Sequence, residues 1–285
     1  MTTIPQNREL LKNLFEILSD QRQVGGRQQV YERVELLVLA ELFAFGRHTV
    51  TQLLMSLGLN EQDWSVWYRL FSEERFNYEA ASAGLFSESL GYVGEEDVYV
   101  VAGDATQTAR SSRKMEGAGW LRNLRTPPFM VGIHAAQRWF NGSWLVPQEN
   151  GYSRAVPLRW LPAFTEKSQP QTVEPLKEWQ ACGHYLSWLR QQFVAHQRPE
   201  QAILLVGDGH YDNLELWKHL PAGVTLLARS AKNRVLYHLP DASGHGNRKY
   251  GERAATPQQV WQTNKGWQQM TLEVRGRPGS VKNRV

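Results

Sequence analysis

The chain has 285 residues, 41% of them hydrophobic and 21% charged, the balance of an ordinary globular protein with room for one large core and a second domain. It holds no run of about 18 apolar residues, and its start, MTTIPQNRELLKNL, lacks the basic-then-apolar order of a secretory signal. Cys182 is the single cysteine, which excludes an intrachain disulfide and a cysteine-based zinc site and fits a reducing, cytoplasmic compartment. The net charge of +4 is unevenly spread: residues 1–100 hold 8 Lys+Arg against 15 Asp+Glu, net −7, and residues 101–285 hold 24 against 13, net +11. A basic half is either the footprint of a polyanionic partner, usually nucleic acid, or a solvated basic surface.

The first ~92 residues show helical periodicity. Leu10, Leu11, Leu14, Phe15 and Leu18 recur on one helical face, and Val30, Val34, Leu37, Val38 and Phe43 do the same after the Gly25-Gly26 break. A short helix is predicted after Thr49, whose hydroxyl can cap its first turn. Gly58 and Asn60 mark a turn before a helix starting near Glu61, and a last helix covers 78–90. The stretch from Thr49 to Phe71 has the outline of a helix-turn-helix, open to DNA contact or to packing and dimerisation.

The pattern changes near Asp97. VYVVAG (98–103) is apolar and β-branched, the signature of a buried strand, and runs directly into Asp104. FMVGIHAAQRWF (129–140) predicts a longer strand. Asn141-Gly142 is a favoured two-residue hairpin turn, which makes SWLVP (143–147) the return strand. Pro-rich connections follow, then a helix over 175–197. AILLVG (202–207) is a second buried strand running into Asp208, followed by a helix over 213–220 and a strand over 224–229. This order matches an RNase H-like fold, in which the first and fourth strands carry two catalytic carboxylates. The fold class is therefore α/β, an RNase H-like mixed-sheet catalytic core preceded by an N-terminal all-α domain. The expected domains are 1–95, helical and DNA-binding or dimerising; 96–229, the core; and 230–285, a basic segment with 10 Lys+Arg against 3 acids, in which 266–276 predicts a strand.

Two aspartates at the ends of adjacent strands repel each other unless a proton or cation intervenes. Mg²⁺, a hard cation that favours oxygen ligands, suits them, and paired ions of this kind assist phosphodiester cleavage. Either aspartate alone also suits a turn or helix cap. After Asp104, residues 105–125 hold Arg110, Arg113, Lys114, Arg122 and Arg125 against Glu116 alone, and guanidinium forks bind phosphate. Trp120 suits base stacking or a hydrophobic anchor for the loop.

On these residues a family resemblance appears. VVAGDATQTARSSRK, LLVGDGHYDNLELWKHL, LLARSAKNRVLY and GNRKYGERAATPQ together resemble the DDE superfamily transposases of bacterial insertion sequences, in the subgroup with a β-rich insertion before the final glutamate. The resemblance runs across nearly the whole chain. It implies a Mg²⁺-dependent enzyme (Mn²⁺ serving as an alternative) that cuts transposon ends and joins them to target DNA, acting as a homodimer on that DNA in the nucleoid. It implies Asp104 and Asp208 as the first two metal ligands, and Arg229, with Lys232, Arg248 and Lys249 of the basic insertion, as DNA contacts. The family's third carboxylate is a helical Glu after the insertion. Only Asp241, Glu252 and Glu273 follow Gly223, none in such a helix, so the chain is expected to stop before that Glu and to be impaired by itself. Two other readings stay open: a DNA-binding inhibitor of transposition, and an RNase H-like host nuclease.

Overall fold

The structure is a computed structural model, and it describes residues 4–20, 22, 26–73, 75–110, 115–123, 126, 132–146, 153–165, 167, 176–240, 249–263, 266–274 and 277–283. The chain divides into two compact units, Met1–Ser89 and Leu90–Val285. No described helix is long and apolar enough to cross a membrane.

The first unit is helical: α1 (Ile4–Asp20), α2 (Gln28–Phe43), α3 (Val50–Ser56), α4 (Ser65–Ser72) and α5 (Tyr78–Leu90), which ends one residue beyond the unit boundary. The Thr49 side chain accepts a hydrogen bond from Gln52 N, as its position before an apolar run predicts. Gly58 turns the chain with φ +70°, a left-handed conformation that glycine adopts without steric penalty. Leu37, Ala40, Leu53, Leu54, Trp67 and Leu70 form the core of this unit. Part of the apolar face of α1 is open to solvent, with Leu10 68% and Phe15 45% exposed, while Leu14 and Leu18 are half-buried.

The second unit is built on a mixed sheet of β1 (Tyr99–Ala109), β2 (Gly119–Arg122), β3 (Ile133–Val146), β4 (Arg154–Pro162), β5 (Ile203–Gly207) and β6 (Val224–Ala228). Its order is β2-β3-β1-β5-β6, with β4 on the outer side of β3. β1 runs antiparallel to β3 and parallel to β5, and β5 runs parallel to β6. This is the mixed sheet of an RNase H-like core. The long α6 (Glu178–Ala195) buries Ala181, Cys182, Tyr185, Leu186, Leu189 and Phe193 on one stripe. Tyr185 of that stripe meets Phe140 of β3 at 5.7 Å, and Phe193 meets Tyr99 of β1 edge-on at 5.1 Å. After β5 come α7 (Leu214–Lys218), β6, α8 (Pro257–Gln262) and the antiparallel ribbon β7 (Gln268–Val274)–β8 (Arg277–Asn283).

Three expectations are corrected. Asn141-Gly142 makes no hairpin: β3 runs straight through it, with Asp104 and Gly103 opposite on one side and Trp160 and Arg159 on the other. The glycine answers a packing demand, because a Cβ at Gly142 would stand inside the Tyr185 ring. The return strand is β4, which lies in the segment read as Pro-rich connection; its Pro157 and Pro162 are tolerated because, among the described residues, β4 pairs with β3 alone. β1 does not end at Asp104 but continues to Ala109, because the 14-residue β3 supplies partners that far. The predicted start of the β3 strand, at 129–131, lies outside the described residues, as do 147 of the predicted return strand and 175 of the predicted α6 helix.

Candidate functional site

The sheet register builds the site as two neighbouring rows. In the first, Gly142 of β3, Gly103 of β1, Gly207 of β5 and Ala228 of β6 stand side by side. Small residues are required there because aromatic rings fill the α6 face of the sheet. A Cβ on Gly103 would come within 3.1 Å of the Phe140 ring, and one on Gly207 within 2.9 Å of the Tyr211 ring. In the next row, Asn141 pairs with Asp104, and Asp208 and Arg229 directly follow Gly207 and Ala228. Side chains alternate between faces along a strand. The glycine row thus faces α6, and β1 and β3 carry Asp104 and Asn141 on the opposite face.

Asp104 lies where β5 stops, so beyond Gly103 β1 has a partner on one side only among the described residues. Both aspartates are exposed. Asp104 Oδ1 accepts from Ala105 N at 2.8 Å, and Asp208 Oδ1 accepts from His210 N at 2.8 Å. Among the described residues neither carboxylate has an ion-pair partner. Two oxygen-donor groups on adjacent strands, with no cation already paired to them, are the donor set that a hard divalent ion takes. No group of three or more His, Cys, Asp or Glu able to hold a metal is assembled among the described residues.

The loop after Asp208 is tied on two sides. Asp212 accepts from Arg234 Nη2 at 3.0 Å, from Trp217 Nε1 at 3.2 Å and from Ser230 Oγ at 2.9 Å, which fastens the loop to the segment leaving β6. His210 Nε2 lies 3.5 Å from Glu178 Oε2, at the first residue of α6. The Glu178 side chain is only 10% exposed, and Arg138 Nη1 of β3 stands 3.7 Å from it. Tyr211 is fully buried beneath this loop. Its hydroxyl proton is held more tightly than usual, first by burial and then by the neighbouring Glu178 carboxylate, yet the hydroxyl has no hydrogen-bond partner of good geometry among the described residues.

The basic residues expected to bind DNA divide. Arg110, Trp120 and Arg122 cluster around the start of β3: Arg110 N donates to Ala135 O, Trp120 pairs with Ala135, and Arg122 pairs with Ile133. By strand alternation they share the face of Asp104, with Arg110 six residues, about 20 Å, further along β1. Arg110 Nε donates to Gln137 Oε1 at 2.9 Å, which fixes its guanidinium, while Trp120 is 60% exposed. Arg229 is exposed beside Asp208, and its carbonyl would stand 3.2 Å from a Cβ on Gly209. Lys232 and Lys249 are exposed on the segment after β6. Arg113, Lys114, Arg125 and Arg248 lie outside the described residues.

Sequence reasoning missed Asn141, Glu178 and His210 as neighbours of the aspartates; Tyr211 entered it only as part of the family block that begins at Asp208. Asn141 carried a turn signal that hid it, and no spacing links Glu178 to a loop some thirty residues later. The motif HYDN after Asp208 was the one available sign for His210 and Tyr211. No curated protein matches the chain. A family profile described as DDE superfamily endonuclease matches residues 14–279. With that match across most of its length and a mixed sheet of RNase H-like order, the chain belongs to the DDE superfamily endonucleases.

Proposed function

We propose that this chain is a DDE-type transposase, of the kind that cleaves and transfers DNA strands at the ends of an insertion sequence with Mg²⁺ or Mn²⁺, in an impaired form, since no third carboxylate joins Asp104 and Asp208 among the described residues. The observation that carries the reading is the row Asn141–Asp104–Asp208–Arg229, with one carboxylate on β1 and one just past the end of the adjacent β5, neither with an ion-pair partner among the described residues. Asp104 and Asp208 would hold the divalent cation, which supplies charge stabilisation to the attacking and leaving oxygens of a phosphodiester. Arg110, Trp120 and Arg122 hold the duplex along the same face, and Arg229 takes the phosphate next to Asp208. Arg113, Lys114 and Arg125, between β1 and β3, and Lys232, Arg248 and Lys249, after β6, extend this contact. In this reading residues 1–95 bind DNA or dimerise, 96–229 form the catalytic core and 230–285 belong to the insertion. The active form is a homodimer on DNA in the cytoplasmic nucleoid.

The test is incubation of purified chain with DNA carrying the element's ends in Mg²⁺ and in Mn²⁺, beside Asp104→Ala and Asp208→Ala. Strand cleavage by the wild type that both substitutions abolish supports the reading. End binding with no cleavage in either metal would make the chain a DNA-binding member that does not cut. Cleavage of RNA–DNA hybrids without regard to the ends would turn the reading to a nuclease.

A further inference from the structure

Glu178 is an acidic side chain placed where burial is costly. Withdrawing a carboxylate from water carries a penalty that partners must offset. At 10% exposure it has two cationic or potentially cationic neighbours, Arg138 Nη1 at 3.7 Å from the sheet and His210 Nε2 at 3.5 Å from the loop after Asp208. The same His210 donates its backbone N–H to Asp208 Oδ1 at 2.8 Å, and its ring meets the buried Tyr211 ring edge-on at 6.2 Å. A continuous set of contacts therefore runs Arg138–Glu178–His210–Asp208, joining β3, the first turn of α6 and the candidate carboxylate. Asp208 has no other anchor for its carboxylate among the described residues, so the orientation of the His210 backbone decides where its oxygens point.

We propose that Glu178 is a positioning residue for the Asp104–Asp208 pair, acting through His210. It acts by fixing the loop that presents Asp208. The inference rests on the reading of Asp104 and Asp208 as cation ligands. Partners that orient first ligands change metal affinity by about 10- to 100-fold when removed.

The experiment is Mn²⁺ titration of the full-length chain by calorimetry, with thermal melting of every variant. The variants are Glu178→Gln, which keeps the size but removes the carboxylate charge that faces His210 and Arg138, His210→Ala, which alters an exposed side chain, and the two combined. The expected result is Mn²⁺ affinity weaker by about 10-fold in each single variant with the melting temperature unchanged. The double variant should lose no more than the worse single one, because residues acting through one contact are not additive. Wild-type affinity in Glu178→Gln, or additive losses in the double variant, would overturn the proposal. So would loss of melting temperature with affinity unchanged, which marks a purely structural role. Absence of Mn²⁺ binding in the wild type, or binding that persists in Asp104→Ala, would instead sink the cation-ligand reading on which it stands.

Discussion

At the scale of single residues, the candidate site depends as much on missing side chains as on present ones. Gly142 stands where Tyr185 needs room, and the β3 backbone is not free to retreat, since it pairs with β1 on one side and β4 on the other. Gly142→Ala should lower stability by about 1–3 kcal/mol, the usual cost of overpacking a core. Denaturant unfolding checks this, and the loss should shrink in a Tyr185→Leu background, where the ring is gone. Tyr211 makes the opposite prediction. Its hydroxyl is buried without a good partner, and an unsatisfied buried hydroxyl is a liability. Tyr211→Phe should leave stability unchanged or raise it by up to about 1 kcal/mol. A loss of that size would show that the hydroxyl bonds Glu178 in solution.

At the scale of elements, helix starts follow local chemistry closely. Thr49 caps α3, and Asp63 sits just before α4, where its carboxylate accepts from Ser65 N at 2.9 Å and Ser65 Oγ at 2.7 Å. The Ser65 hydroxyl first, then the Ser65 amide, hold the Asp63 carboxyl below its ordinary value of 3.8. A depressed carboxylate contributes stability that is present above the ordinary value and is lost as pH falls through the lowered one. Ser65→Ala should therefore move Asp63 back up towards 3.8, and α4 should fray at a higher pH than in the wild type. An NMR titration of Asp63 tests the point, and an unmoved midpoint would deny the side-chain bond its role. Strands were harder to place than helices. The ends of β1 and β3 are set by how far the neighbouring strand reaches, and no residue within either strand carries that information.

At the scale of the whole molecule, the chain is electrically lopsided, with net −7 over residues 1–100 and +11 over the rest. Counterion release makes DNA affinity fall with salt in proportion to the phosphates contacted, with a log–log slope of about −0.9 per contact. Arg110 and Arg122 share the face of Asp104, so changing both to Gln should reduce the slope by roughly 2 on any duplex, sequence notwithstanding. A slope equal to the wild type's would remove β2 and the end of β1 from the proposed DNA surface.

Much of the molecule was legible without coordinates. The helices of the first unit, the strands entering Asp104 and Asp208, α6, α7 and β6 all follow from periodicity and caps, because burying one face of an element imposes a period on its own residues. The placing of Asp104 beside Asp208 followed from strand order. What tertiary structure decided was the meaning of residues whose partners are remote. Asn141-Gly142 carries a turn signal, but pairing on both sides and the Tyr185 ring make it the middle of a strand. Pro157 and Pro162 signal a connection, yet a strand with one neighbour accommodates them. Glu178 became part of the site only when α6 brought its first turn to His210. Local sequence encodes the preference of a segment for itself; which atoms stand beside it depends on the rest of the chain.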